Sequence, residues 1–467
     1  MYLSQITVIA IALSIILLWY WAKYQQIRSN KVPVHAPVLI LAFWLVACAV
    51  FGPAFHVFRF PGVIDITIER LVFLILLFFL TMGSFTGKVR FKTNISIEIS
   101  MMVFALICVF SMLRTGFYPS TPDFPSPWFA FISGYLFPFI MFVFAKNYVR
   151  NENEVQLLLQ ALFWFGMYLS LIAFFEFFNF RQFVFPQYIN NPEIQLHLDR
   201  ARGPFLNAAF NGVGILVGFI CGIHLLEKKK GVIRIIYQSA LMLFFPAIFF
   251  TQTRSVYLGM LIVMVLFWGW YDTSFPKWKL ATLPLAVVLI LVMAYSPWLL
   301  SKERREGGIY QTEEMDIRMI LIQKSVFLFS EHPFAGVGLA QFIPASVKEY
   351  KGRVSFIAES ANAEFQHNHL LGLAVELGAG GFLVYLSVIF LILKRLWQLS
   401  GKLQRTGIMG NNLRLIILSV WCVYLSNNMF VEPSNAIFIN SVPFVFAGIA
   451  DGIYTRSLQS DLNLCHQ

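Results

Sequence analysis

Residues 208–230, AAFNGVGILVGFICGIHLLEKKK, run for nineteen positions without a formal charge before Glu227 and three consecutive lysines. A hydrocarbon layer about 30 Å thick takes roughly 20 apolar residues per helix, so this stretch reads as a membrane span. The lysines behind it mark the end that stays in the cytoplasm. Gly214, Gly218 and Gly222 recur every four residues, which gives the helix a flat face for close packing.

The same pattern extends outward through the whole chain. Hydrophobic residues make up 58% of the 467 positions and charged residues 13%, about half the charged share of a soluble domain. Thirteen spans are expected: Leu3–Ala22, His35–Gly52, Ile66–Phe85, Ile97–Leu113, Trp128–Lys146, Val155–Phe177, Ala208–Leu226, Ile235–Thr251, Ser255–Tyr271, Leu280–Leu299, His369–Leu393, Leu413–Val431 and Ile437–Ile453. The expected fold class is therefore an all-α polytopic bundle of about 12–13 spans, a single integral membrane domain over 1–467. The first apolar run has no basic residue before it and no small-residue cleavage site, so it is expected to remain as an uncleaved span with its N-terminus outside. Cys48, Cys108, Cys221 and Cys422 lie inside apolar segments and Cys465 in the tail, which provides neither a disulfide framework nor a CxxC zinc site.

With that orientation, 20 of the 35 basic residues fall in short cytoplasmic connections, as the positive-inside rule requires. The other fifteen fall on or near the outer side, and arginine outnumbers lysine among them by eleven to four. A planar, permanently charged fork suits bidentate binding of phosphate, although any outer loop also needs some charge for solvation.

Two outer connections exceed the usual loop length, residues 178–207 and residues 300–368. In the larger, Met315, Met319, Ile322, Val326 and Phe329 have helical spacing, which predicts an amphipathic helix over Glu313–Ser330 lying on the membrane or over a cavity, ended by His332-Pro333. No Walker A sequence occurs, which argues against an ATP-driven pump. Gly336-Val337-Gly338 lacks the third glycine and the strand context of a dinucleotide fingerprint.

Candidate chemistry gathers where the large loop re-enters the membrane, at Gln366-His367-Asn368-His369. A histidine at a membrane mouth can serve as a general base near neutral pH, or can simply cap the helix. His367 and His369 point to different faces of a helix, and no acidic cluster completes a metal site. Glu376 follows in an apolar segment and is expected to be structural or to neutralise an arginine. Arg254 sits at a tight turn between two spans, and Arg200 and Arg202 end the shorter outer loop.

Taken in order, Arg200-Ala-Arg202-Gly-Pro-Phe, Thr253-Arg254-Ser255, Arg318 on a loop helix, His332-Pro-Phe-Ala-Gly336-Val-Gly338, and His367-Asn368 followed by Glu376-Leu-Gly378-Ala-Gly380 resemble the O-antigen ligase and polymerase superfamily of bacterial envelope proteins. The resemblance covers residues 171–381. It implies a glycan donor linked to undecaprenyl diphosphate, and a lipid A core sugar (ligase) or another lipid-linked repeat (O-antigen or exopolysaccharide polymerase) as acceptor. It implies His367 as the residue activating the acceptor hydroxyl, and Arg202, Arg254 and Arg318, with Arg200 and Asn368 beside them, as substrate-binding. No cofactor, metal or nucleic acid is implied; the lipid bilayer is the remaining partner, in a bacterial plasma membrane with the site facing the periplasm or exterior. Members commonly have twelve spans against the thirteen read here. A transporter or flippase for lipid-linked sugars is the alternative from another class, but neither inverted repeats nor broken midplane helices are evident. A non-catalytic scaffold would leave the outer arginines and histidine unexplained.

Overall fold

A computed structural model describes residues 34–58, 66–87, 89, 95–118, 126–194, 197–271, 312–350, 366–400, 403, 407–433 and 435–465. The spans expected at Leu3–Ala22 and Leu280–Leu299 lie outside these residues.

The other eleven expected spans are helices: α1 (Ala36–Val50), α2 (Ile68–Phe85), α3 (Ser96–Thr115), α4 (Pro127–Tyr148), α5 (Glu152–Phe177), α6 (Ala208–Leu226), α7 (Gly231–Phe250), α8 (Arg254–Trp270), α11 (His369–Gln398), α12 (Asn411–Asn428) and α13 (Ile437–Cys465). Between α8 and α11 lie α9 (Thr312–Glu331) and α10 (Phe342–Glu349). Eight of these helices are long and apolar enough to cross a membrane. There is no strand among the described residues, and the fold is an all-α polytopic bundle.

Burial sorts the helices. α6 and α13 are almost wholly enclosed, whereas α2 and α3 expose most of their surface and present Leu74, Phe78, Leu106 and Phe110 outward. Such a helix, apolar all round but exposed in the isolated chain, is what a lipid-facing position demands. The glycine stripe of α6 packs as expected: a Cβ on Gly218 would fall 2.7 Å from the Cα of Gly166 on α5, so the two backbones touch.

Polar contacts define two ends. At one, α3, α5 and α12 begin and α4, α6 and α11 finish, and basic residues meet carboxylates. Lys146 is buried between Glu98 and Asp451, the latter at 2.7 Å, and Asp451 also receives Arg395 at 2.5 Å. Lys228 pairs with Glu152, and His35 with Glu154 at 2.5 Å. Asn151 caps α5 in a reciprocal capping box with Glu154. This is the lysine end. The opposite end holds residues 178–194 and 197–207, α9, α10 and His367, and is the histidine end.

Helix α9 appears where the spacing predicts it, but of the stripe's described side chains only Phe329 packs onto a core. Met319, Ile322 and Val326 are exposed, while Leu321 and Leu328 turn inward onto Phe342, Ile343 and Val375. Both faces of the helix therefore carry apolar surface, the inner for packing and the outer available to lipid.

Candidate active site

The histidine end is organised around a break in α11. Gly378 has φ 66° and ψ −175° inside the helix, which leaves the carbonyls of Val375 and Glu376 and the amide of Ala379 without helical partners. The segment after α9 supplies them. Val337 N donates to Val375 O (3.0 Å), Gly338 N to Glu376 O (2.9 Å), and Ala379 N to Pro333 O (2.8 Å). The approach is so close that a Cβ on Gly378 would lie 2.2 Å from Phe334 O, and one on Gly336 2.3 Å from Glu376 O. The two motifs His332–Gly338 and Glu376–Gly380, remote in sequence, are thus two halves of one backbone joint. Arg114 at the end of α3 fastens it, donating to Ala335 O (2.9 Å) and Gly336 O (2.6 Å).

Glu376 serves the same joint. Its carboxylate accepts from Ala340 N (2.9 Å) and Phe342 N (3.4 Å), the amides that lead into α10, where the helix dipole favours an anion. These contacts, with a bond to the Gln366 side chain, give Glu376 backbone amides and an amide side chain as its partners among the described residues.

One residue before α11, Asn368 is the N-cap and accepts from Leu371 N (3.0 Å), so its side chain anchors the helix mouth. His367 stands just outside the cap with φ 52°, a left-handed backbone, and is half-buried. His369 points inward and is buried; its Nδ1 lies 2.9 Å from Glu432 Oε1, with the Tyr135 and Tyr385 rings packed around it.

The connection 178–207 meets this mouth. Arg202 is buried, and its guanidinium donates to the carbonyls of Ile189 (2.6 Å from Nη2), Asn191 (3.1 Å) and Ile194. Glu176 at the end of α5 accepts from Gly203 N (3.0 Å). Arg202 is therefore built into the loop and fastens it. Arg200 is half-buried, and the adjoining Ala201 N donates to Phe250 O (3.2 Å), which joins the loop to the α7–α8 turn carrying Arg254. Arg254 is exposed at the first turn of α8, and Ser255 next to it donates to Asn427 Oδ1 on α12 (3.1 Å). Arg318 is exposed on α9.

Two members of this end escaped the sequence reading. His197 accepts a hydrogen bond at Nδ1 from Ala208 N (3.0 Å), the first amide of α6. Burial, then the charges of Arg200, Arg202 and His367, push its pKa down to about 4, which also places His367 within electrostatic reach. Glu432 is the other, a single carboxylate after α12. Neither belongs to a motif; the available signal was the rarity of a charged or titratable residue beside a span.

The fold and this end define an integral membrane protein with a cationic, histidine-bearing face at one end of its bundle. Residues 239–386 match the family model described as O-antigen ligase, which supports the O-antigen ligase-like superfamily and, with it, an O-antigen ligase/polymerase-type membrane glycan transferase. A comparison with curated proteins gives no match.

Proposed function

We propose that the protein transfers a glycan from undecaprenyl diphosphate to an acceptor hydroxyl at the outer face of the bacterial plasma membrane, in the manner of an O-antigen ligase, with residues 178–207 and 300–368 forming the outer connections. The observation that carries this reading is the joining of separate stretches of chain at one end of the bundle: Ala201 N, beside Arg200, donates to Phe250 O, Ser255, beside Arg254, donates to Asn427, and His369, two residues from His367, meets Glu432.

The acceptor hydroxyl oxygen attacks the anomeric carbon and gives its proton to His367. The bond from that carbon to the diphosphate breaks, and undecaprenyl diphosphate leaves with the electron pair. A single displacement inverts the anomeric centre. A diphosphate is a good leaving group, so what the protein must add is fixed positive charge where negative charge develops. Arg254 and Arg318, both exposed, and the half-buried Arg200 are the side chains assigned to this. Arg202 holds the loop that carries Arg200. No metal is assigned a role.

The test uses full-length protein in membranes, a synthetic undecaprenyl-diphosphate-linked glycan as donor and rough lipopolysaccharide as acceptor. His367→Ala is expected to lower transfer by about 10²- to 10⁴-fold, with transfer by the parent chain unaffected by EDTA. Wild-type transfer by His367→Ala would remove the base. Chain extension of the lipid-linked glycan, in place of transfer to the core sugar, would turn the reading into a polymerase.

A further inference from the structure

The short segment that follows α12 touches both halves of the proposed site. Asn427, in the last turn of α12, accepts from the Ser255 hydroxyl (3.1 Å), one residue from Arg254. Five residues on, Glu432 meets Nδ1 of His369 (2.9 Å), two residues from His367. Between these contacts the chain has little freedom: Phe430 N and Val431 N both donate to Asn427 O (2.9 and 3.0 Å), and Pro433 O accepts from Asn440 Nδ2 and Ala436 N (2.7 Å each) at the start of α13. Tyr424, one turn earlier on α12, donates to Asn440 Oδ1 (3.3 Å). The segment is a bracket fixed to α13, and each of its arms ends beside a residue assigned to the chemistry.

The His369–Glu432 arm is costly to bury. His369 is 3% exposed and Glu432 13%, and a buried imidazole–carboxylate contact has to repay the desolvation of both groups. Helix-mouth anchoring alone does not require it, since Asn368 already caps α11. What the contact adds is a fixed distance between the entrance of α11 and the end of α12.

We infer that Glu432 and His369 are positioning residues that, through the bracket 427–433, hold His367 at a set distance from Arg254. The inference rests on the roles given to those two residues above. The carboxylate accepts the Nδ1 proton of His369 and so fixes the ring; the ring fixes the first turn of α11; that turn fixes where His367 stands relative to the bound diphosphate. A displacement of about 1 Å between a base and its substrate can cost about 10²-fold in rate.

Two arms test it on the full chain. In the first, nitroxide labels are placed through Arg254→Cys and His367→Cys in a background without native cysteines, and their separation is read by pulsed electron resonance. Glu432→Ala is expected to shift or broaden the distribution, and Glu432→Gln, whose amide oxygen still accepts from Nδ1, to restore it. In the second, transfer kinetics are measured with the donor and acceptor named above. Glu432→Ala is expected to lower kcat by about 10²-fold, with donor KM changed less than about threefold and Glu432→Gln recovering most of the loss. His369→Phe, which keeps a ring between the tyrosines, makes the same cut from the other side and serves if Glu432→Ala fails to accumulate. An unchanged distance distribution, a loss confined to KM, or equal impairment by Ala and Gln would overturn the inference. If His367→Ala itself transfers normally, the functional reading fails, while the distance arm still reports on the bracket.

Discussion

The two ends of the bundle dispose of their charges in opposite ways. At the lysine end, Lys146, Arg395 and Lys228 each meet a carboxylate, and the contacts cancel charge: Asp451, fully buried, lies between Lys146 and Arg395. At the histidine end, the guanidinium groups of Arg202 and Arg114 donate to main-chain carbonyls, and the carboxylates of Glu176 and Glu376 accept from main-chain amides. A carbonyl satisfies a donor without neutralising it. Arg456 at the lysine end also donates to carbonyls, of Lys146 and Val149, and His369 at the histidine end meets Glu432, so the ends differ in which contact predominates: cation–carboxylate pairs at one, main-chain contacts at the other. An end built that way is suited to an anion that arrives from outside the chain, and an end built the other way is suited to holding helices together.

The sharpest break of this contrast is at Asp451. Asp451→Ala leaves Lys146 and Arg395 buried beside each other, and removing one partner of a buried ion pair costs about 3–5 kcal/mol. Denaturation in detergent should show that loss, with transfer per folded molecule unchanged. If activity per folded molecule fell as well, the separation of roles between the ends would be wrong.

The converse substitution is Arg254→Ala. Arg254 is exposed, so stability is expected to change by less than about 0.5 kcal/mol. Loss of one group stabilising developing charge is expected to lower kcat by about 10²-fold, equivalent to about 2.7 kcal/mol. Arg254→Lys, a point charge without the fork, should recover only part of this. A large change in melting with normal transfer would assign the residue to the scaffold.

These contrasts divide what sequence could reveal from what it could not. Membrane spans are read from local composition, and each of the eleven spans expected within the described residues is a helix. The amphipathic spacing of α9 was also local, but which face turned inward depended on Phe342, Ile343 and Val375, which come from other elements. In the same way Arg202 carries the same charge in sequence as Arg254, and only folding separates a guanidinium buried in a loop from one exposed at a helix start. The joint between Gly336 and Gly378 shows why motif residues can matter without touching a substrate: each glycine is required by a backbone forty residues away. His197 and Glu432 belong to no motif, and their partners are set by what the fold brings beside them.

The smallest expected effect concerns His197 and refines the cationic end. Its pKa is lowered to about 4 because it is buried and faces Arg200, Arg202 and His367, while the unfolded chain has the ordinary value near 6.5. Between those values the unfolded state binds a proton that the folded state refuses. The stabilisation is thus complete above about pH 6.5 and is lost as pH falls toward 4, by about 2 kcal/mol at pH 5. His197→Gln, with an amide oxygen able to accept from Ala208 N, should remove this slope, so that wild type and variant diverge between pH 7 and pH 5 in detergent melts. The lysine end offers a control, since Asp451→Asn leaves His197 in place and should preserve the slope. Parallel curves for His197→Gln and wild type would mean that neither burial nor the neighbouring cations depress His197 in the folded chain.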